Sequence, residues 1–221
     1  MEASSPTTSR PERGRRARRA TGDERERAIL ETFERELNEK SFHEISIDDL
    51  ASGAGISRST FYFYFPSKEA VLLTLLDRLF ADADGTSDAA RQRIADDPAE
   101  GVRQSLTAYV SIFGSHRAVM RAGTDAQITS PEVMAVWNVV RENWIQMAAD
   151  TIEAERARGA APAGLPARDL AIALLNMNEG VLHTSFAGDG PGIDEEAVLD
   201  TLQTVWINAI YVANAPKMLG Q

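Results

Sequence analysis

From residue 22 onward the apolar positions recur with the period of an α-helix. Ile29, Phe33 and Leu37 fall at i, i+4 and i+8, with Leu30 beside them and charges on the other side. That stripe predicts an amphipathic helix over about 22–40. Thr21 and Glu24 have capping-box spacing and set its start. Ser46 is the N-cap candidate of a second helix, with Asp48 and Asp49 in the first turn, where the helix dipole favours anions. Ile47, Leu50, Ala51 and Ala54 line one side of it. Gly53 and Gly55 then interrupt the pattern, and Gly55 can adopt the left-handed conformation of a tight turn. Ser57 caps a short third helix, 57–63. Pro66 ends the aromatic run, Ser67 caps again, and a fourth helix over 67–80 carries Val71, Leu72, Leu75, Leu76, Leu79 and Phe80.

The polar, glycine-containing run Asp84–Asp88 predicts a break, and Asp96-Asp97-Pro98 predicts another. Helical periodicity returns over 100–113, 116–126, 131–158, 167–187 and 195–213, separated by Gly114, Gly159–Pro166 and Gly188–Gly192. No stretch alternates with a period of two and no repeat is visible. The expected fold is all-α with roughly nine helices. It divides into an arm at 1–21 expected to be disordered, a three-helix unit at 22–66, a linking helix at 67–80 and a larger helical domain at 81–221.

Composition narrows the function. Hydrophobic residues make up 43% of 221, enough for a sizeable core. Cysteine is absent, which excludes disulfides, thiolate metal sites and cysteine nucleophiles, and suits a reducing compartment. No run reaches the ~18 apolar residues of a membrane span. The start, MEASSPTTSR, is polar where a signal peptide is apolar. A cytoplasmic protein with no membrane partner is expected.

The net charge of −10 argues at first against a polyanionic partner. Its distribution reverses that argument. Residues 1–22 hold six Arg against two Glu, residues 1–80 hold 13 basic against 14 acidic, and residues 81–221 hold 10 against 19. The acidity therefore sits in the second part of the chain, behind a basic front. The run Arg13-Gly14-Arg15-Arg16-Ala17-Arg18-Arg19 reads either as a solvated tail or as an arm lying on phosphates or in a minor groove.

Residues 46–68, SIDDLASGAGISRSTFYFYFPSK, place two short helices around a glycine turn, the spacing of a helix-turn-helix. The second helix must offer polar groups to base edges at its N-terminal end, a role that suits Ser57, Arg58, Ser59 and Thr60. Its other face must bury something, here Ile56, Phe61 and Phe65. Tyr62 and Tyr64 are candidates for phosphate or base contacts. Lys68, at the next helix start, has a charge and free backbone N–H groups that favour phosphate.

The string Gly55-Ile56-Ser57-(x2)-Thr60-Phe61-Tyr62-x-Tyr64-Phe65-(x2)-Lys68-Glu69-(x2)-Leu72 resembles the signature of the TetR family of bacterial transcriptional regulators nearly position for position. The resemblance extends from about residue 22 to 213, least over 81–105, and points to the mycobacterial repressors within that family. It implies a homodimer of two-domain helical subunits that binds double-stranded operator DNA. It also implies release by a small lipophilic effector and control of a nearby gene, a monooxygenase gene among the candidates.

All three tryptophans, Trp137, Trp144 and Trp206, lie in the second domain. Tyr109 and Phe113 share a face of another helix, and Asn176, Met177, Asn178, Glu179, His183 and Phe186 lie on a third. By spacing alone such residues form either ordinary core or an apolar pocket with sparse polar anchors. The family resemblance favours the pocket and implies that Tyr109, Phe113, Trp137, Trp144, Asn178, Glu179 and Trp206 line it. Asn178 would then be the amide that meets a ligand carbonyl. His183 is a further candidate for the lining, but it, Arg141 and Val102 depart from the family's aromatic or apolar residues there, so ligand identity does not transfer. His43, His116 and His183 are far apart in sequence and offer no metal spacing. No phosphate loop or nucleophile–base pair is present, and neither cofactor nor enzyme activity is expected. Two alternatives remain, a helical carrier or enzyme whose N-terminal unit contacts protein, and a regulator that binds DNA only with its ligand. The last two helices are expected to pair with their twins as a four-helix bundle, aided by the alanine-rich stretch 167–174.

Overall fold

A computed structural model describes residues 21–187 and 190–212, with 81–91 and 187 described by backbone alone. The basic arm lies outside the described residues. Among those residues the chain forms nine helices and no strand: α1 (Gly22–Leu37), α2 (Ile47–Gly53), α3 (Arg58–Tyr64), α4 (Lys68–Asp96), α5 (Pro98–Ser115), α6 (Arg117–Thr129), α7 (Pro131–Ala157), α8 (Ala167–Ala187) and α9 (Glu195–Tyr211).

The helix starts obey the capping signals. The Thr21 N–H donates to Glu24 Oε2 at 2.7 Å while the Glu24 N–H donates to Thr21 Oγ1 at 3.3 Å, closing the capping box. Ser46 and Asp49 form a second one. Pro98 and Pro131 occupy first helical positions, where φ is preset and no N–H is missed. The break expected at Asp84–Asp88 is absent, because α4 runs unbroken for 29 residues to Asp96. Gly85 costs a helix only about 1 kcal/mol, and no proline stands between Pro66 and Pro98. The linking helix is therefore roughly twice its expected length.

Helices α1–α3 fold around Ile29, Phe33, Leu37, Leu50 and Phe61, each 0–1% exposed. Burying side chains of this size stabilises by roughly 1.5–3 kcal/mol apiece. The stripe of α4, Val71, Leu72 and Leu76, closes this core and carries it into the second domain. Polar contacts tie the head to its support at the same level. Arg78 of α4 pairs with Glu26 of α1 at 2.7 Å, and His116 Nδ1 meets Glu34 Oε1 at 2.7 Å. A second apolar cluster, containing Ile145, Ile152, Leu170, Leu174 and Ile210, occupies the far end of α7, α8 and α9. Ala167 and Ala171 belong to this cluster, at 4% and 0% exposure, so that part of the alanine-rich stretch packs within the subunit.

Candidate DNA-binding head and ligand cavity

The α2–α3 turn is a Schellman closure. The Ile56 N–H donates to the Ala51 carbonyl at 2.9 Å and the Gly55 N–H to the Ser52 carbonyl at 3.0 Å. Gly55 sits at φ 67°, in the left-handed region that L side chains resist. Ser57 then caps α3, its Oγ accepting the Thr60 N–H at 3.2 Å. The same hydroxyl lies 2.9 Å from Ser59 Oγ and 2.8 Å from Thr60 Oγ1.

This geometry anchors α3 by Phe61, 0% exposed, and by Phe65 just beyond it at 6%. Ser57, Arg58, Ser59 and Tyr62 are exposed; Thr60 and Tyr64 are half-buried. Phe63 is 83% exposed. Sequence reasoning missed it because an aromatic run reads as core. On a helix anchored at 61 and 65, however, position 63 lies about 200° from 61 and must face outward.

Arg58 is engaged within the head. It donates to Asp48 Oδ2 of α2 at 2.8 Å and to the Tyr62 hydroxyl at 3.4 Å, and lies 5.8 Å from the Tyr62 ring centroid. Tyr62 and then Asp48 hold its guanidinium pKa above the ordinary value. Lys68 is placed differently from the expectation. Its ammonium donates to the carbonyls of Phe42, His43 and Ile45 at 2.8, 3.3 and 3.0 Å and lies 4.6 Å from the Phe42 ring centroid. Those three acceptors match its three N–H donors. The side chain thus ties the α1–α2 connection to α4 and is not free to reach phosphate. Desolvation lowers its pKa.

Between the core that runs from the head into the second domain and the cluster at the far end of α7, α8 and α9, a cavity of about 140 Å³ remains. Tyr109, Trp144, Asn178 and Trp206 all line it. The Trp206 Nε1–H donates to Asn178 Oδ1 at 3.0 Å, and Asn178 is only 1% exposed. Its Nδ2 has no acceptor among the described residues. Burial, and secondarily Glu179, pushes the Tyr109 phenol far above its ordinary pKa, so it is a neutral hydrogen-bond donor.

A smaller void beyond Tyr109 and Trp144 is bordered by Trp137 and Glu179. There Glu179 accepts from the Trp137 indole at 2.9 Å and from Arg141 Nη2 at 2.7 and 2.8 Å. Two expected lining residues line neither space. Phe113 is buried behind Tyr109, ring centroids 5.2 Å apart, and supports the wall. His183 is half-buried on α8, about 140° around the helix from Asn178, which turns it away. Glu155 and Tyr211 line the cavity and were not foreseen. A glutamate in the charged stretch IEAERARG carries no local mark of burial.

The aromatic wall reaches the linking helix. Phe80 of α4 packs edge-on against Trp137 and Trp144, with centroids 5.6 and 5.2 Å away. Trp144 in turn meets Tyr109 at 4.9 Å.

An outward-facing helix-turn-helix carried on a helical domain that holds an apolar cavity defines a class, the one-component DNA-binding regulators. The chain belongs to the TetR family of bacterial regulatory proteins, whose model matches residues 29–75, and the C-terminal domain of the transcriptional regulator EthR matches residues 102–212. It is 52% identical over 207 residues to the HTH-type transcriptional regulator EthR of Mycobacterium tuberculosis, covering 91% of this chain and 94% of that one. The EthR of Mycolicibacterium smegmatis is 50% identical over 202 residues, covering 91% and 93%. Thermus thermophilus FadR, a TetR-family transcriptional repressor solved with lauroyl-CoA, shares the fold at a TM-score of 0.60 and 21% identity, over 90% of this chain and 99% of that one. The protein is thus a DNA-binding transcriptional regulator of the EthR type. Among its described residues no helix is long and apolar enough to cross a membrane.

Proposed function

We propose that the chain is a cytoplasmic repressor that grips operator DNA as a homodimer and is released when a small apolar or amphipathic molecule enters the cavity. The observation that carries this reading is the pairing of two features in one chain. The outer face of α3 stands clear of its own subunit, and the helix behind it shares an aromatic wall with the cavity.

In this reading Arg58 leaves Asp48 to read a base edge, and Ser57, Ser59 and Thr60 contact bases or phosphates. Tyr62 and Tyr64 reach phosphate, and Phe63 offers an apolar edge to a thymine methyl. Lys68 acts as a strut. In the cavity Asn178 Nδ2 meets a ligand carbonyl against Tyr109, Trp144 and Trp206. Trp137 and Glu179 close the far side. The lauroyl-CoA held by FadR supports an effector with an apolar chain.

The dimer forms through α8 and α9. Ala173, Asn176 and Gly180 on α8, and Thr204, Val205, Asn208 and Ala209 on α9, are exposed and mostly small, which allows close helix approach. Two α3 helices must then enter successive major grooves about 34 Å apart. A ligand that prefers the splayed subunits lowers operator affinity 100-fold if it favours that state by about 2.7 kcal/mol. Phe80 is the contact through which α4 senses the cavity. The target is a gene beside its own, a monooxygenase gene among those the family resemblance implies. We assign no enzymatic activity.

A mobility-shift titration on DNA upstream of its own gene tests the reading. Arg58→Ala is expected to weaken specific binding by roughly 10- to 100-fold. Unchanged affinity and specificity would overturn the assignment of α3 as the reading helix.

A further inference from the structure

The cavity has two unlike ends. Glu155 lies on α7 eleven residues beyond Trp144, roughly 16 Å of helix. One end carries the Asn178 amide and the aromatic wall. The other carries Glu155 and Tyr211, which the proposed role leaves without a task. Glu155 is 3% exposed. Its Oε1 accepts from Arg158 Nε at 2.8 Å, and its Oε2 accepts from Arg158 Nη2 at 2.6 Å and from the Tyr211 hydroxyl at 2.9 Å.

A carboxylate has about four lone-pair sites, of which these bonds fill three. Arg158 approaches from the solvent side, its side chain 39% exposed, and does not line the cavity. Among the described residues no Lys, Arg or His lines it. The neighbouring hydroxyls are spent on their own helices, Thr151 donating to the Met147 carbonyl at 2.8 Å and Ser105 to the Gly101 carbonyl at 3.1 Å. The face of the Glu155–Arg158 pair turned to the cavity is therefore the carboxylate, set among apolar side chains such as Ile94, Val102 and Ile152, so opposite charge is favoured there and like charge penalised, both tempered by the guanidinium behind it.

We infer that the Glu155 end of the cavity is a head-group subsite for an apolar chain tipped with a hydrogen-bond donor, best a protonated amine, and that it rejects a carboxylate tip. The inference rests on the reading that the cavity holds the effector. An ammonium brings three N–H donors on a compact charge, enough to occupy the open lone pair while Arg158 keeps its own bonds. A hydroxyl tip makes the hydrogen bond without the charge. A carboxylate tip meets the Glu155 oxygens first, with the Arg158 guanidinium behind them and no cation on the cavity side among the described residues.

The test uses n-octylamine, 1-octanol and octanoate at neutral pH and physiological salt, with binding to the full chain read from fluorescence of the wall tryptophans and from calorimetry. Octylamine is expected to bind at least tenfold more tightly than octanoate, with octanol between. Glu155→Gln removes that gap by weakening octylamine about tenfold while octanol holds. Arg158→Gln leaves the carboxylate to the ligand and the Tyr211 hydroxyl, and strengthens octylamine binding, the opposite sign to a loss of structure. Equal binding of amine and carboxylate, or a gap that survives Glu155→Gln as surface adsorption would, overturns the subsite and leaves the cavity reading intact. Binding of none of the three overturns both. If Glu155→Gln fails to fold, Arg158→Gln decides, and an octylamine affinity that is unchanged or lower counts against the subsite.

Discussion

Two glycines two positions apart at the α2–α3 turn are needed for different physical reasons, and substitutions separate them. At Gly55 an added Cβ meets nothing within 4 Å, so the penalty is purely conformational, from φ +67°. A left-handed L-residue costs about 1–2 kcal/mol, offset by about 0.4–1 kcal/mol from a less flexible unfolded chain. Gly55→Ala should therefore destabilise by about 1 kcal/mol, and Gly55→Asn by less, since asparagine tolerates that region. Gly53 is helical, and its Cβ would lie 2.4 Å from Thr32 Cγ2 and 2.9 Å from Arg35 Nη2. Thr32 is 2% exposed and cannot swing aside. Overpacking of this kind costs about 1–3 kcal/mol, against at most about 1 kcal/mol gained in helix propensity. Gly53→Ala should therefore destabilise by about 1–2 kcal/mol and Gly53→Asn by more. Urea unfolding of the full-length variants gives the order directly. The expected result is a crossover, with asparagine better than alanine at 55 and worse at 53. The same order at both positions, or a stabilising Gly53→Ala, would refute the turn geometry on which α3's presentation depends.

Other substitutions probe the head. Asp48→Asn frees Arg58 and removes a negative charge beside the DNA face, so operator affinity in low-salt mobility shifts should rise a few-fold, fading as salt screens it; a loss would mean that Asp48 positions Arg58 for reading. Lys68→Met strands three carbonyls and should cost about 1–3 kcal/mol of unfolding free energy; unaltered stability with weakened DNA binding would restore the phosphate role expected from sequence. Deleting residues 1–20, which hold six Arg and two Glu, should flatten the log–log salt dependence of DNA binding if the arm engages phosphates; an identical slope would show the arm idle.

Much of this architecture was legible in the chain because its signals are local. Thr21, Ser46, Ser57 and Ser67 each mark a helix start and each accepts the expected capping bond. Tyr109, Trp144, Asn178 and Trp206 could be grouped through the family resemblance, since helical spacing alone left core and pocket both open, and all four line the cavity. The failures are places where tertiary structure overrides local appearance. The polar stretch Asp84–Asp88 looks like a loop but lacks the proline that would end a helix. Phe63 looks like core but faces solvent, because its neighbours two positions either side are the anchors. Lys68 looks available to phosphate, yet the α1–α2 connection presents three carbonyls to it. Glu155 looks like a solvated charge and is buried by α9, through Tyr211, from 56 residues further along the chain.

The most direct test of the account is a footprint of the purified chain on the DNA upstream of its own gene, titrated with and without a lipophilic extract. The expected result is protection of two half-sites about one helical turn apart, lost as the extract is added. A chain that protects no segment at any concentration, or one whose footprint ignores every apolar addition, would contradict it.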